Sequence, residues 1–253
     1  MSEPKTAMLS IDFDFFVREM IDWDWGHNES PIFLNVVWPF RYAGIDDLKE
    51  EVDPRTHADF WPPHLRAELQ KKGFLLSTNV NLMAADSHYH TLQMLRQCDE
   101  WQYEPDYLIN IDQHHDLFSD PKDGEPDCGN WWTEYVDKWK KTRHIWIAPK
   151  HLDSMKDYGK PVRDVEQVRW SEFELPEPVV VTGIFFARSG CWVPPHLDEL
   201  FNEMVNEFHP NLKVKCRELD WEMIEVHREQ LKEQRREWEA KIESERARGS
   251  DVD

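Results

Sequence analysis

Short apolar runs alternate with amphipathic stretches along most of this chain. Five runs predict strands: "AMLSI" (7–11), "FLLS" (74–77), "YLINI" (107–111), "HIWIA" (144–148) and "VVVTGIFFA" (179–187). Four of them are short and lack clean alternation, as expected for strands covered on both faces. Between them, 63–71, 88–97 and 130–140 carry helical spacing, and 195–208 follows "VPP", where proline suits the first turn of a helix. Strands alternating with helices predict an α/β fold, a three-layer α/β/α sandwich around a mainly parallel sheet. Residues 17–62, rich in Trp and Pro, read as a loop-rich excursion. Residues 218–249 are highly charged and predict a helix. Trp221, Ile224, Leu231, Trp238 and Ile242 form an apolar stripe along it, suited to the core or a partner helix. No internal repeat is visible, and 253 residues suit a single domain over 1–253.

Composition changes this picture in two ways. Thirteen Trp and 13 Phe supply a substantial core, and a net charge of −20 argues against nucleic acid and anionic membrane while favouring cationic ligands. No apolar run reaches the roughly 20 residues of a membrane span, and the N-terminus lacks the apolar region of a signal peptide. Cys98, Cys128, Cys191 and Cys216 are scattered without C-x-x-C spacing. A reduced, cytoplasmic protein is expected.

Candidate chemistry sits at the ends of two of the apolar runs. "INIDQHHDLF" places Asp112, His114 and Asp116 at i, i+2 and i+4, which converge on one side of an extended segment. "LSIDFDFF" places Asp12 and Asp14 likewise, with Phe13 turned to the core. His88 in "AADSHYHTL" follows a third strand, with His90 two residues on as the alternative donor. Gathering four carboxylates costs free energy unless a cation or proton neutralises them. Two divalent ions balance four carboxylates, and the mixed oxygen and nitrogen donors suit a hard ion such as Mn²⁺. A close pair of ions can activate water for attack on a poor electrophile.

"DQHHD" and "SIDFD" resemble the D-x-H-x-D and S-x-D-x-D motifs of the arginase/deacetylase superfamily. "DSHYHTL", "NIDQHHDLF...CGNWW" and "IFFARSGCWVPPHLDELF" extend the likeness to the branch that includes the peptide arginases. The resemblance implies an arginase-like fold in which Asp112 and Asp12 bridge two Mn²⁺ ions. His88 and Asp116 would complete one site, and His114 and Asp14 the other. The D-x-D strand comes first here and late in the relatives, which implies a circular permutation with a central N-terminal strand. Asp116 stands where one-zinc deacetylases typically have Gly, which favours the two-metal, guanidine-hydrolysing side.

The activity implied is hydrolysis of an arginine side chain to ornithine and urea. "CGNWW" keeps Gly129 and Asn130 of the loop that holds free arginine, but Trp132 replaces its proton-carrying His. An aromatic rim and an arginine-containing peptide substrate are therefore expected. Arg188 and Ser189 match a segment that would shape the pocket, and Asp22, Asp24 and Glu29 are candidates for gripping the guanidinium. His115 is expected to face away from the ligands. Two other functions remain open: a hydrolase of a small guanidino compound or amide, and a non-catalytic, metal-stabilised module that binds a peptide.

Overall fold

The computed structural model describes residues 3–18, 29–45, 47–121, 125–152 and 159–249. In chain order its elements are β1 (Thr6–Asp12), α1 (Pro31–Gly44), α2 (Leu48–Glu51), α3 (Pro54–His57), α4 (Leu65–Lys71), β2 (Phe74–Ala85), α5 (Thr91–Glu100) and β3 (Tyr107–Ile111). There follow α6 (Thr133–Lys138), β4 (Arg143–Ala148), β5 (Glu166–Arg169), β6 (Val179–Ala187), α7 (Asp198–Asn206) and α8 (Trp221–Gly249). The strands form one sheet in the order β2-β6-β1-β3-β4-β5, and every pairing is parallel.

Alternation along the central strands divides the core into two layers. Ala7, Leu9 and Ile11 of β1 and Tyr107, Ile109 and Ile111 of β3 face one cluster, which also takes Leu34 and Trp38 of α1, Leu65 of α4 and Phe201 of α7. Met8 and Leu108 face the other, with Leu92 and Leu95 of α5 and Tyr135 of α6. The fold is therefore the expected α/β/α sandwich. Phe13 is fully buried in the first cluster, as expected.

Connectivity fixes where a ligand can sit. The chain leaves β1 toward β2 on one side of the sheet, whereas it leaves β3 toward β4 on the other. The carboxyl ends of β1 and β3 thus flank a crevice at a topological switch point, the usual ligand position in an open parallel sheet. Asp12 ends β1 there, and Asp112 immediately follows β3. β1 is also a central strand, paired with β6 on one side and β3 on the other.

Two segments differ from the sequence-based expectation. The 17–62 excursion contains α1, a 14-residue helix capped by Ser30, which accepts from Phe33 N, with Pro31 in its first turn. Pro39 inside it and the surrounding Trp residues obscure its period. β5 is short and polar, an exposed or half-buried edge strand with no apolar run to announce it. The charged C-terminal helix is present as α8. Ile224 is buried, Arg228 Nη2 donates to Tyr42 O at 3.0 Å, and the following turns carry Glu229–Lys232 and Glu233–Arg236 ion pairs. The side chains of Trp238 and Ile242 lie outside the described residues. Among the described residues no helix is long and apolar enough to cross a membrane, and Cys98, Cys128, Cys191 and Cys216 are free thiols.

Candidate metal centre

Asp12 and Asp112 reach the crevice from neighbouring strands at the same level, since Ile11 and Ile111 are register partners. The following ligands arrive by turns rather than by strand alternation, which corrects the geometry expected from spacing. Asp12 Oδ1 accepts from Asp14 N at 3.1 Å as a 3-10 turn begins at Phe13. Asp112 Oδ1 accepts from His114 N at 2.8 Å. In each case the aspartate turns the chain back over its own carboxylate, an Asx turn. Asp116 then adopts the left-handed region at φ 49, a conformation that Asp tolerates better than most residues.

The six expected ligands converge, and each is at least nine-tenths buried. His88 Nδ1 lies 3.0 Å from Asp12 Oδ2, 3.3 Å from Asp112 Oδ2 and 2.9 Å from Asp116 Oδ2. None of these approaches has hydrogen-bond geometry, so Nδ1 is a buried nitrogen without a hydrogen bond at the focus of three carboxylates. Its other nitrogen, Nε2, is hydrogen-bonded to Ser10 Oγ. On the far side of Asp112, His114 Nδ1 lies 3.0 Å from Asp14 Oδ2 and 3.8 Å from Asp112 Oδ1. Asp12, His88 and Asp112 form one group, and Asp14, Asp112 and His114 a second, with ligand atoms in each within 4.8 Å of one another. Either could hold a metal ion. Asp112 is common to both; Asp12, the other bridge implied by the resemblance, falls in the first group alone. His90 belongs to neither group, and its Nδ1 lies within reach of Gln93 Nε2.

The surroundings orient these ligands. Asn110 Nδ2 donates to Asp112 Oδ2 at 3.0 Å, and Trp131 Nε1 donates to Asp116 Oδ2 at 2.7 Å. Ser189 Oγ donates to Asp12 Oδ2. Such partners fix ligand direction and tune donor strength at metal sites. Burial is the main cause that raises the carboxylates: Asp14 is pushed up to about 6 and Asp112 to about 7, with the charges of Asp112 on Asp14, and of Asp116 and Asp12 on Asp112, adding to it. Asp12 is raised by burial and by Asp14. For His88, burial opposes protonation, but the charge of Asp116 and contacts with Asp112, Asp116 and Asp12 outweigh it and raise its pKa well above the usual range.

Five of the six expected ligands, all but Asp112, open into a small pocket of about 20 Å³, lined also by Glu29, Phe118, Cys128, Gly129, Ser189 and Trp192. Among the described residues, Glu29 is therefore the acid beside the centre. It accepts from Ser87 Oγ, and burial pushes its carboxyl up to about 7. Asp22 and Asp24 lie outside the described residues. Three other expectations are corrected. Asn130 does not line the pocket; its Oδ1 accepts from Asp127 N and its Nδ2 donates to Ser119 Oγ. Arg188 is committed to Asp86 and Asp198, with Nε and Nη1 donating at 2.7 and 2.9 Å. Trp132 is fully buried and donates to His115 O, so it forms no rim. Its neighbour Trp131 packs on His88 instead, and among the described residues the aromatic ones at the pocket are Phe118 and Trp192.

His115 packs against Phe118 and Trp146 and accepts from Leu117 N, away from the ligands. Ser10 and Asn110 are polar interruptions within apolar strands, a signal that could have marked them as ligand supports. Comparison with family models, with characterised proteins and with solved structures finds no match for this chain.

Proposed function

We propose that this protein is a binuclear metal hydrolase of the arginase type, acting on the guanidinium group of an arginine side chain within a peptide. The observation that carries this reading is the His88 Nδ1 position. It is a buried nitrogen aimed at three carboxylates, beside a second donor group that shares Asp112. Four buried carboxylates need about four positive charges, and oxygen-rich donors with two imidazoles suit Mn²⁺. In this assignment His88, Asp12 and Asp116 hold one ion, Asp14 and His114 the other, and Asp112 both. When bound, such a pair supplies hydroxide at neutral pH for attack on the trigonal guanidinium carbon.

The chain's own residues account for the rest. Glu29, at the pocket beside Ser87, receives the guanidinium and holds its carbon toward the ligands. Phe118 and Trp192 flank His114 at 6.4 and 5.2 Å between ring centroids and give a planar cation faces to pass between. Asn130 has both amide ends engaged in its own loop, so it does not grip the amino-acid end of a free arginine. That supports a substrate whose backbone is carried elsewhere, in a peptide.

The test is mass spectrometry of an arginine-containing peptide incubated with the Mn²⁺-loaded protein. The expected product has lost CH₂N₂, the change from arginine to ornithine, with urea released in equal amount. Unchanged peptide under conditions where two ions are bound rejects the reading. Glu29→Gln should retain both ions yet lose about 100-fold in kcat/KM, as for a charged hydrogen bond removed.

A further inference from the structure

The turn after β6, residues 188–193, closes one side of the pocket, and side chains from remote parts of the chain hold it. Ser189 adopts the left-handed region at φ 51, a costly conformation for a residue with a Cβ. From there its hydroxyl reaches Asp12 Oδ2. Arg217 donates from Nη1 to Gly190 O at 2.6 Å and from Nη2 to Val193 O at 2.8 Å. Trp38 Nε1 also donates to Gly190 O, at 2.8 Å. Arg217 is anchored in turn, with Nε and Nη2 on the two oxygens of Asp198 at 3.1 and 2.6 Å. The fit is close: a Cβ on Gly190 would stand 2.7 Å from Asp86 Oδ1 and 3.1 Å from Arg217 Nη1.

Neither Arg217 nor Asp198 lines the pocket. We propose that Arg217, locked on Asp198, is a positioning residue for the metal centre. By fixing the 189–193 turn it keeps Ser189 Oγ on Asp12, and so fixes the direction in which that carboxylate faces His88. The strained Ser189 backbone gives the physical reason. A residue in that conformation persists only where its surroundings over-determine it, and two arginine-to-carbonyl bonds plus one indole bond do so here. The inference rests on the metal-centre part of the reading above and is independent of guanidine hydrolysis.

Mn²⁺ binding by titration calorimetry tests it, with Arg217→Gln, Ser189→Ala and the double variant. Arg143→Gln, which breaks an ion pair to Glu166 at the opposite end of the sheet, is the control. Each single change is expected to weaken Mn²⁺ binding about 10- to 100-fold, the usual cost of removing a group that orients a ligand. If Arg217 acts through Ser189, the double variant binds no more weakly than the weaker single one. Arg143→Gln should bind as the parent does. Parental Mn²⁺ affinity in a destabilised Arg217→Gln protein overturns the proposal, and so do losses that add. Should Arg217→Gln fail to fold, Trp38→Phe carries the same test, because it removes one bond to Gly190 O and keeps an aromatic ring. Weakened Mn²⁺ binding that does not add to Ser189→Ala sustains the proposal; unchanged binding overturns it.

Discussion

Two buried acids in this molecule are treated in opposite ways. Asp198, 1% exposed, receives Arg188 Nη1 at 2.9 Å and Arg217 Nη2 at 2.6 Å, so its charge is balanced within the chain. Asp112 is fully buried among Asp12, Asp14 and Asp116, with the imidazoles of His88 and His114 as its partners. A permanently charged guanidinium closes the first site, whereas an imidazole can surrender its proton and offer a lone pair. One arrangement holds the fold together; the other gathers negative charge that protons or a metal ion could balance.

Neutralising each acid separates the two most sharply. Asp198→Asn leaves Arg217 buried without its anion and Arg188 with Asp86 alone, and should lower the unfolding free energy by about 3–5 kcal/mol, with or without Mn²⁺. Denaturant titration reads this directly. Asp112→Asn should weaken Mn²⁺ binding by more than about 100-fold, beyond the cost of losing a mere supporting group. Yet in the metal-free protein the same change should stabilise the fold above neutral pH by about 1–3 kcal/mol, because it removes a repelled buried charge. Opposite signs for the two metal-free variants are the signature of the comparison; equal destabilisation would erase it.

A pH series sharpens it at a smaller scale. Asp14 at about 6 and Asp112 at about 7 lie above the unfolded carboxylate range near about 4. Between those limits these two carboxyls hold more protons in the folded, metal-free chain than in the unfolded chain. Their contribution to stability is therefore full at the acid end and is lost as pH rises toward about 7, by up to about 1.4 kcal/mol per pH unit for each group. Saturating Mn²⁺ should flatten the slope by replacing those protons. The smallest expected effect is that of Arg143→Gln, a half-exposed ion pair, at about 0.2–1 kcal/mol.

Much of this arrangement was legible in the sequence, for reasons that differ by element. β3 and β6 coincide with the runs 107–111 and 179–187 because fully covered strands concentrate apolar residues. β5 escaped detection because an edge strand of Glu, Gln, Val and Arg carries no such run. α1 was hidden by Pro39, although Ser30 and Pro31 mark its start. At the candidate centre, which residues converge was readable from spacing, but the mechanism of convergence was not: Asx turns, rather than strand alternation, bring Asp14 and His114 around. Arg188 and Asn130 were misplaced because their partners are set by tertiary contacts. Asp86 and Asp198 claim one, and Asp127 and Ser119 the other. Trp132, read as part of a rim, is instead part of the second core layer.

The central claim is that two cations complete the charge balance around Asp112. Elemental analysis of the purified chain after Mn²⁺ loading and removal of excess metal tests it most directly. The account predicts a ratio near two ions per chain for the parent, falling in Asp112→Asn and unchanged in Arg143→Gln. A reproducible ratio of one or none in the parent would contradict it.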